Sequence, residues 1–354
     1  MTVESTQRDT GIRFLLVAAS VVVIIAGLRA AAPIILPFLI AVFLAVVNVP
    51  LMNWLIRNRV PKPIAVLSTI LAAVSIVGIL VGVMATSLNQ LSVVAPTYQV
   101  RLQELFTSMT GLAERYGVPA DQLTAAMAPS GMFDLVGGVI GDVVRALGSL
   151  LSNSFLVLLT VVFILFEAAG FGAKLKSAFG DAHDLFGPMT RMASQVQNYL
   201  VAKTAISAAT GVVIGMWVGL MGLDFPLSWG LLAFMFNFIP TLGSIFAAVP
   251  AVLLALIQPD LGPESAAVIA AGYLAVNVVF GSLLEPTLMG HRLGLSTLVV
   301  FISLVFWGWV WGPVGMLFSV PLTMVVKITL ENTDEFRWGA GMLGANPPRE
   351  ADST

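Results

Sequence analysis

A single carboxylate, Glu285, closes an apolar stretch that begins at Ser265 and carries no other charge, and Pro286 follows it directly. A carboxylate within or at the edge of apolar protein is costly unless it is paired, and transport proteins use such groups to bind a proton or a cation. We therefore predict that Glu285 binds an ion. The alternative is an interfacial glutamate that caps the end of its helix or pairs with Arg292.

The amide of Asn237 lies three residues before Pro240 and marks a second candidate site. Proline inside a helix frees a backbone carbonyl group, and an amide supplies both donors and an acceptor. We predict that Asn237, Pro240 and Gly243 help to bind a polyhydroxylated solute; the alternative is a hydrogen bond between helices, a common use of Asn in membranes. Four further residues add hydroxyl and amide groups that suit a sugar-like ligand better than an anion: Thr241, Ser244, Asn277 and Ser296.

Several function classes are disfavoured by what the sequence lacks. It has no cysteine, only two histidines, at 183 and 291, and no His-Glu-x-x-His pair, so neither a zinc hydrolase nor a thiolate enzyme is predicted. Without a Gly-rich phosphate loop, ATP is not the expected energy source. The balance of 17 Lys plus Arg against 19 Asp plus Glu gives no sign of a nucleic-acid partner. We expect a non-enzyme with no cofactor and no resident metal.

The composition predicts an integral membrane protein. Mean hydropathy is +0.96, and only 10% of residues are charged, against about 25% in soluble domains. Such a chain cannot cover a soluble surface, so the lipid bilayer is its expected surrounding. Most of the eight apolar segments between the charges are long enough to span a bilayer: residues 14–28, 30–56, 63–100, 146–166, 204–223, 225–259, 265–284 and 293–326. The predicted fold class is all-α.

Two of these segments, 225–259 and 293–326, fit neither one straight crossing nor two. A helix of about 34 residues rises roughly 50 Å, whereas the hydrocarbon core is about 30 Å thick. Pro and Gly break each segment midway, and broken helices occur at membrane depth only inside protein or along a cavity. We predict two re-entrant hairpins that line a substrate pathway. The predicted hinge positions, in the hairpins and after segment seven, are Pro250, Pro286, Gly290, Gly312, Pro313, Gly315 and Pro321.

The positions of Lys and Arg predict the orientation, because cytoplasmic loops are enriched in these residues. Basic residues occur before residue 14, at 57–62, in a predicted loop at 167–203 that includes Lys203, and at 291–292. Both termini are then cytoplasmic, and the chain makes six crossings and forms two hairpins that enter from opposite faces. The first segment also resembles a cleavable signal peptide, but in a polytopic chain we expect it to be retained.

Four regions follow from this pattern of segments. Residues 1–87 hold the first three membrane helices, and 88–145 form an extracytoplasmic insert of amphipathic helices. Residues 146–330 form the second membrane region, and 331–354 a cytoplasmic tail that we expect to be disordered. The hairpins also share a faint likeness, Pro240 to Gly243 against Pro313 to Gly315, which an inverted repeat or coincidence explains equally well.

Four motifs between residues 195 and 327 have a familiar pattern: Phe236-Asn-Phe-Ile-Pro-Thr-Leu-Gly243, Glu285-Pro-Thr-Leu-Met-Gly290, Gly294-Leu-Ser296 and Gly315-Met-Leu-Phe-Ser-Val-Pro321. They resemble the autoinducer-2 exporter family of bacterial membrane proteins, and the resemblance covers nearly the whole chain. It differs at Thr297, where the family often has Pro. The resemblance implies a homo-oligomer of the inner membrane that exports the quorum-sensing signal autoinducer-2, or a sodium(lithium)/proton antiporter.

A secondary active transporter that works by alternating access is therefore the predicted function. Its substrate would be a small polar solute, sodium ions or protons, and the energy source an ion gradient. A passive channel and a non-transporting membrane scaffold stay open as competing functions, because the hydroxyl, amide and carboxyl groups alone do not distinguish among them.

Overall fold

The computed structural model describes residues 15–16, 19–115, 154–179, 183–240, 242–289, 295–333 and 337–344. Apart from one isolated bridge between Leu295 and Gly344, the regular structure in these ranges is helical, which confirms the all-α class. The helices are α1 (Ala19–Ala30), α2 (Ala32–Arg57), α3 (Lys62–Arg115), α4 (Ser154–Phe179), α5 (His183–Leu220), α6 (Pro226–Phe236), α7 (Leu242–Ile257), α8 (Pro263–Asn277), α9 (Glu285–Met289), α10 (Thr297–Glu331) and α11 (Arg337–Leu343). A π-helix, Val278–Leu284, joins α8 to α9.

Among the described residues, five stretches of helix are long and apolar enough to cross a membrane: Ala32–Arg57, Lys62–Leu91, Ala193–Leu220, Pro263–Thr287 and Thr297–Glu331. Large apolar side chains such as Leu71, Phe163 and Leu274 are exposed along the helices. Soluble proteins rarely expose contiguous apolar surface on this scale, so the chain is a multi-pass membrane protein. The shorter apolar helices at 19–30 and 156–168 coincide with predicted segments one and four, and the number of crossings stays a prediction.

Helix α3 runs without interruption from Lys62 to Arg115 over 54 residues, a length of roughly 80 Å. It therefore extends well beyond the hydrocarbon core. The predicted boundary at residue 88 lies inside this helix, so the first part of the predicted insert continues a membrane helix directly. The remainder of that insert, and the end of the C-terminal tail, lie outside the described residues.

Helices α6 and α7 form a hairpin, here called hairpin 1, whose two ends meet. The backbone N–H of Asp224, before α6, donates to Oε1 of Gln258, after α7, at 3.0 Å. Gln258 Nε2 in turn donates to the carbonyl of Gly222 at 2.8 Å. At the turn, a Cβ on Gly243 would lie 1.8 Å from the carbonyl oxygen of Phe236. Only glycine allows so close a return of the chain.

Helix α10 is interrupted at Gly312, which has φ 66° and ψ −149°, and its two halves form hairpin 2. The indole N–H of Trp307 donates to Oγ1 of Thr323 at 3.2 Å across sixteen positions, which a straight helix would separate by about 24 Å. A Cβ on Gly315 would lie 1.9 Å from the carbonyl oxygen of Trp307. Helix α10 therefore folds back on itself.

The two hairpins begin near opposite ends of Ala193–Leu220, the part of α5 that is long and apolar enough to cross a membrane. Hairpin 1 starts at Asp224, just after α5 ends at Leu220. At the start of hairpin 2, Leu295 shares a buried apolar cluster with Tyr199 and Leu200. These two points on α5 are about 30 Å apart along the helix, close to the thickness of the hydrocarbon core. The geometry agrees with hairpins that approach from opposite directions.

Candidate functional site

A buried ion pair joins α5 to α9. Nζ of Lys203 lies 2.7 Å from Oε1 and 2.8 Å from Oε2 of Glu285, and the two side chains are only 4% and 23% exposed. Removing one partner of a buried pair typically costs about 3–5 kcal/mol, because the other charge is left uncompensated. The pair therefore fixes α5 against the helix that carries Glu285.

Lys203 corrects an expectation from the sequence. Its predicted place in a loop is wrong, because α5 begins at His183 and Lys203 lies deep inside that helix; the cytoplasmic location of residues 167–203 stays a prediction. Its burial follows from its contact with Glu285. The sequence signal that was available is the start of an apolar segment at the next residue, Thr204. The other proposed partner of Glu285, Arg292, lies outside the described residues.

The helix that carries Glu285 changes its winding just before this residue. The π-helix Val278–Leu284 separates α8 from α9, and Glu285 is the first residue of α9. Short π-helical segments occur frequently at functional sites because they break the regular α-helical ladder of hydrogen bonds. Asn277, another predicted site residue, ends α8, and its Oδ1 lies over Gly281 inside the π-helix.

The break of hairpin 1 lies close to the ion pair. Nδ2 of Asn237 donates to Oγ of Ser207 at 2.9 Å, and Ser207 is buried. Since Ser207 is four residues after Lys203 on α5, the two side chains occupy the same face one turn apart. Asn237 therefore makes the hydrogen bond between helices that its sequence position also allows. The structure thus brings together Asn237 and Glu285, which are far apart in sequence.

The remaining predicted site residues have more varied positions. Oγ of Ser296 accepts from the backbone N–H of Val299 at 3.3 Å and caps α10, and the Pro240 carbonyl accepts from Leu242 at 2.6 Å in the turn of hairpin 1. Pro250 and Pro321 are buried inside α7 and α10, whereas Pro286 and Pro313 are exposed. Ser244 is partly buried in α7. Thr241 and Gly290 lie outside the described residues.

Phe43 on α2 contacts both hairpins. Its ring centroid lies 5.7 Å from that of Phe238, at the break of hairpin 1, and 5.6 Å from that of Phe318, beyond the break of hairpin 2. Both contacts are edge to face, a favourable geometry for aromatic rings. The sequence gives no signal for this role, because a phenylalanine in an apolar helix looks the same whether it faces lipid or protein.

The site consists of a few charged and polar side chains. In the part of the chain that the structure describes, no group of three or more His, Asp or Glu side chains could hold a metal ion. The chain contains no cysteine. What the site offers is one carboxylate, one ammonium group and nearby amide and hydroxyl groups, between helices of membrane length.

Interrupted helices around a buried charged pair define a polytopic membrane protein of the transporter class. Residues 18–335 match the family model described as AI-2E family transporter. The chain belongs to this family, which confirms the resemblance seen in its motifs.

Three relatives illustrate the similarity. The AI-2 transport protein TqsA of Escherichia coli K12 is 39% identical over 325 residues, covering 91% of this chain and 93% of its own length. The putative transport protein YhhT of the same strain is 37% identical over 352 residues and covers 98% of each chain. A putative transport protein of Haemophilus influenzae is 34% identical over 336 residues, covering 94% of this chain and 96% of its own length. All three are named as transport proteins, not as enzymes.

Proposed function

We propose that this protein is a secondary active transporter that exports a small polar solute, with autoinducer-2 as the leading candidate. The substrate is suggested by TqsA, which is named an AI-2 transport protein and is 39% identical. The observation that carries the proposal is the buried pair of Lys203 and Glu285. A charged pair inside a membrane protein is the kind of group that an ion gradient can act on.

The coupling step is the opening of this pair. When Glu285 takes up a proton, its attraction to Lys203 is lost, and a buried ammonium group without a partner is strongly unfavourable. The interface between α5 and α9 then separates or rearranges until Lys203 reaches water or another partner. Loss of the proton on the other side of the membrane restores the pair and the first arrangement.

Hairpins 1 and 2 are the elements that change access in this mechanism. We infer that they are re-entrant and enter the bilayer from opposite faces, with both chain termini in the cytoplasm and the protein in the inner membrane. Support comes from their bases, which lie near opposite ends of the membrane-length part of α5, Ala193–Leu220, and from Phe43, which touches both hairpins near the middle of α2. Movement of one hairpin against Phe43 would open one side while the other stays packed.

A sodium(lithium)/proton antiporter is the second candidate, and the same ion pair favours it. A metal cation could compete with Lys203 for the two oxygens of Glu285, and a proton could compete with both. In that case the solute is the ion itself. A passive channel and a scaffold receive less support, because neither function needs a buried charged pair.

Inside-out vesicles that contain the purified, reconstituted protein test these functions against one another. We expect autoinducer-2 to accumulate inside the vesicles, against its own concentration gradient, when the vesicle interior is made more acidic than the medium. It should leak out after an ionophore abolishes the pH gradient. Equilibration without accumulation would identify a channel. Sodium-dependent proton movement with no flux of autoinducer-2 would identify the antiporter, and no flux of either would leave the scaffold.

The oligomeric state belongs to the same proposal. We expect a homo-oligomer in the bilayer, in line with the family resemblance, with exposed apolar side chains of the membrane helices available for contact between copies. Native mass spectrometry of the detergent-solubilised protein measures the number of copies directly, and a monomer across the range of detergents would contradict this expectation.

A further inference from the structure

Polar residues recur at seven-residue intervals along one face of α5. Lys203, Thr210 and Trp217 are successive members of this row, and a step of seven residues returns to nearly the same side of an α-helix, displaced by only about 20°. Ser207 and Ile214 lie between them on the same side and are fully buried. The row therefore points into the protein rather than into lipid.

The facing surface is the chain from α8 to α9, which runs antiparallel to α5. The two surfaces touch at both ends: Lys203 pairs with Glu285, and the indole of Trp217 lies against Gly272, where a Cβ would come within 1.9 Å of Nε1. The two contacts are fourteen residues apart on α5 and thirteen residues apart on the facing chain. By the same count, the residue of the facing chain that corresponds to Thr210 lies at the start of the π-helix Val278–Leu284.

Two polar groups on α5 and one on α8 are buried and have no hydrogen-bond partner among the described residues: Oγ1 of Thr210, Nε1 of Trp217 and OH of Tyr273. Thr210 is only 8% exposed and Tyr273 only 6%. Tyr273 follows Gly272, against which Trp217 packs, and both aromatic residues belong to one apolar cluster. Buried polar groups are nearly always hydrogen bonded, so three unpaired groups on these two packed helices call for an explanation.

We propose that these groups form a binding site for a small, uncharged, polyhydroxylated solute between α5 and α8, which rests on the proposed transport function and gives it a location. Trp217 can only donate, so a proton relay through the whole row is excluded and the ligand must supply acceptor oxygens. Lys203 and Glu285 neutralise each other, so the row carries no net charge that would attract an ion as substrate. Aromatic walls with a few polar groups are the usual lining of small-molecule sites.

Removal of the proposed donors separates this role from a purely structural one. Tyr273→Phe keeps the aromatic ring and removes only the unpaired hydroxyl group, whereas Trp217→Phe removes the unpaired N–H and also replaces the indole by the smaller phenyl ring. Because the Tyr273 hydroxyl has no partner to lose, the melting temperature of unliganded Tyr273→Phe should not fall, and removal of an unsatisfied buried group can raise it. The smaller ring of Trp217→Phe leaves unfilled space over Gly272 and should lower the melting temperature. Trp54, an exposed tryptophan on α2, supplies the matched control Trp54→Phe.

The experiment measures equilibrium binding of radiolabelled autoinducer-2 to the purified full-length protein. We expect each of the two variants to raise the dissociation constant by about 3- to 10-fold, the loss that follows from one neutral hydrogen bond, while Trp54→Phe binds like the wild type. Wild-type affinity in both variants, a lower melting temperature in Tyr273→Phe, or no saturable binding to the wild type would overturn the site.

Vesicle transport with the same proteins keeps the two proposals apart. If the wild type binds autoinducer-2 and the variants bind it more weakly, but no vesicle accumulates it, the site stands and active transport fails. If the wild type accumulates autoinducer-2 while both variants bind it as tightly as the wild type, transport stands and the site fails.

Discussion

Lys203 and Glu285 are 82 positions apart in the sequence, and both carboxylate oxygens of Glu285 lie within 2.8 Å of the Lys203 ammonium nitrogen. The contact joins the middle of α5 to the residue that follows the π-helix. It lies one helical turn from Ser207, to which the break of hairpin 1 is hydrogen bonded through Asn237. A change at the ion pair can therefore reach both an interrupted helix and a hairpin through direct contacts.

Glu285→Gln should abolish ion-coupled transport and lower the stability of the protein by about 3 kcal/mol, because Lys203 would remain buried without a counter-charge. Lys203→Met in the same chain should recover most of that stability but not the transport, since no group is left to bind the ion. Thermal unfolding of both single variants and the double variant measures the coupling energy of the pair. Additive losses in the double variant, or wild-type flux in Glu285→Gln, would contradict this role.

Gly243→Ala and Gly315→Ala should each destabilise the protein by about 2 kcal/mol or more, because the added Cβ would overlap a backbone carbonyl oxygen at the turn of a hairpin. Gly78→Ala is the matched control. A Cβ there meets no atom within 4 Å, and alanine is favoured over glycine inside a helix by about 1 kcal/mol. The yield of folded protein after detergent extraction and its unfolding midpoint measure the contrast. Equal behaviour of the three variants would remove the argument for tight turns.

The cysteine-free chain allows a direct test of the opposed hairpins by single-cysteine labelling. Asp260, just beyond hairpin 1, and Asn332, just beyond hairpin 2, are both exposed. With a membrane-impermeant maleimide added to intact cells, Asp260→Cys should react from outside, and Asn332→Cys only after the membrane is permeabilised. Reaction of both from the same side would show that the hairpins do not approach from opposite faces.

Phe43→Ala should make the protein leaky, because it removes the ring that contacts Phe238 and Phe318 at the same time. We expect solute to move down its gradient in vesicles that carry no ion gradient, while accumulation falls. Phe43→Leu, which keeps most of the apolar volume, serves as the control and should leak less. A Phe43→Ala protein that does not leak and that accumulates solute normally would show that these ring contacts do not close the pathway.

The two hairpins illustrate how far local sequence signals reach. Their length, the lack of charge and the Pro and Gly residues near 240 and 312 predict interrupted helices, and the structure interrupts both segments at these places. These signals act within a few residues, since a proline or a tight glycine turn changes the backbone where it stands. The motifs around them are also sufficient to indicate the family.

Local sequence signals do not predict which residues the site residues contact. Charge placement assigns Lys203 to a loop, and nothing in the sequence distinguishes Phe43, although both make the contacts that define the site. A membrane helix that is apolar on all sides carries little information on which side faces protein and which faces lipid. Its rotation is decided by packing against helices that are distant in sequence.

The sequence by itself thus determined that this is an all-α membrane protein of the AI-2E transporter family, with two broken segments and one isolated carboxylate near its C-terminal end. These properties follow from composition and short-range pattern. Only the tertiary structure decided that Glu285 pairs with Lys203, that Asn237 comes within one turn of this pair, and that Phe43 touches both hairpins. Contacts of this kind depend on how the helices pack against one another. Each buried charge also requires a partner of opposite charge, and local sequence patterns do not identify that partner.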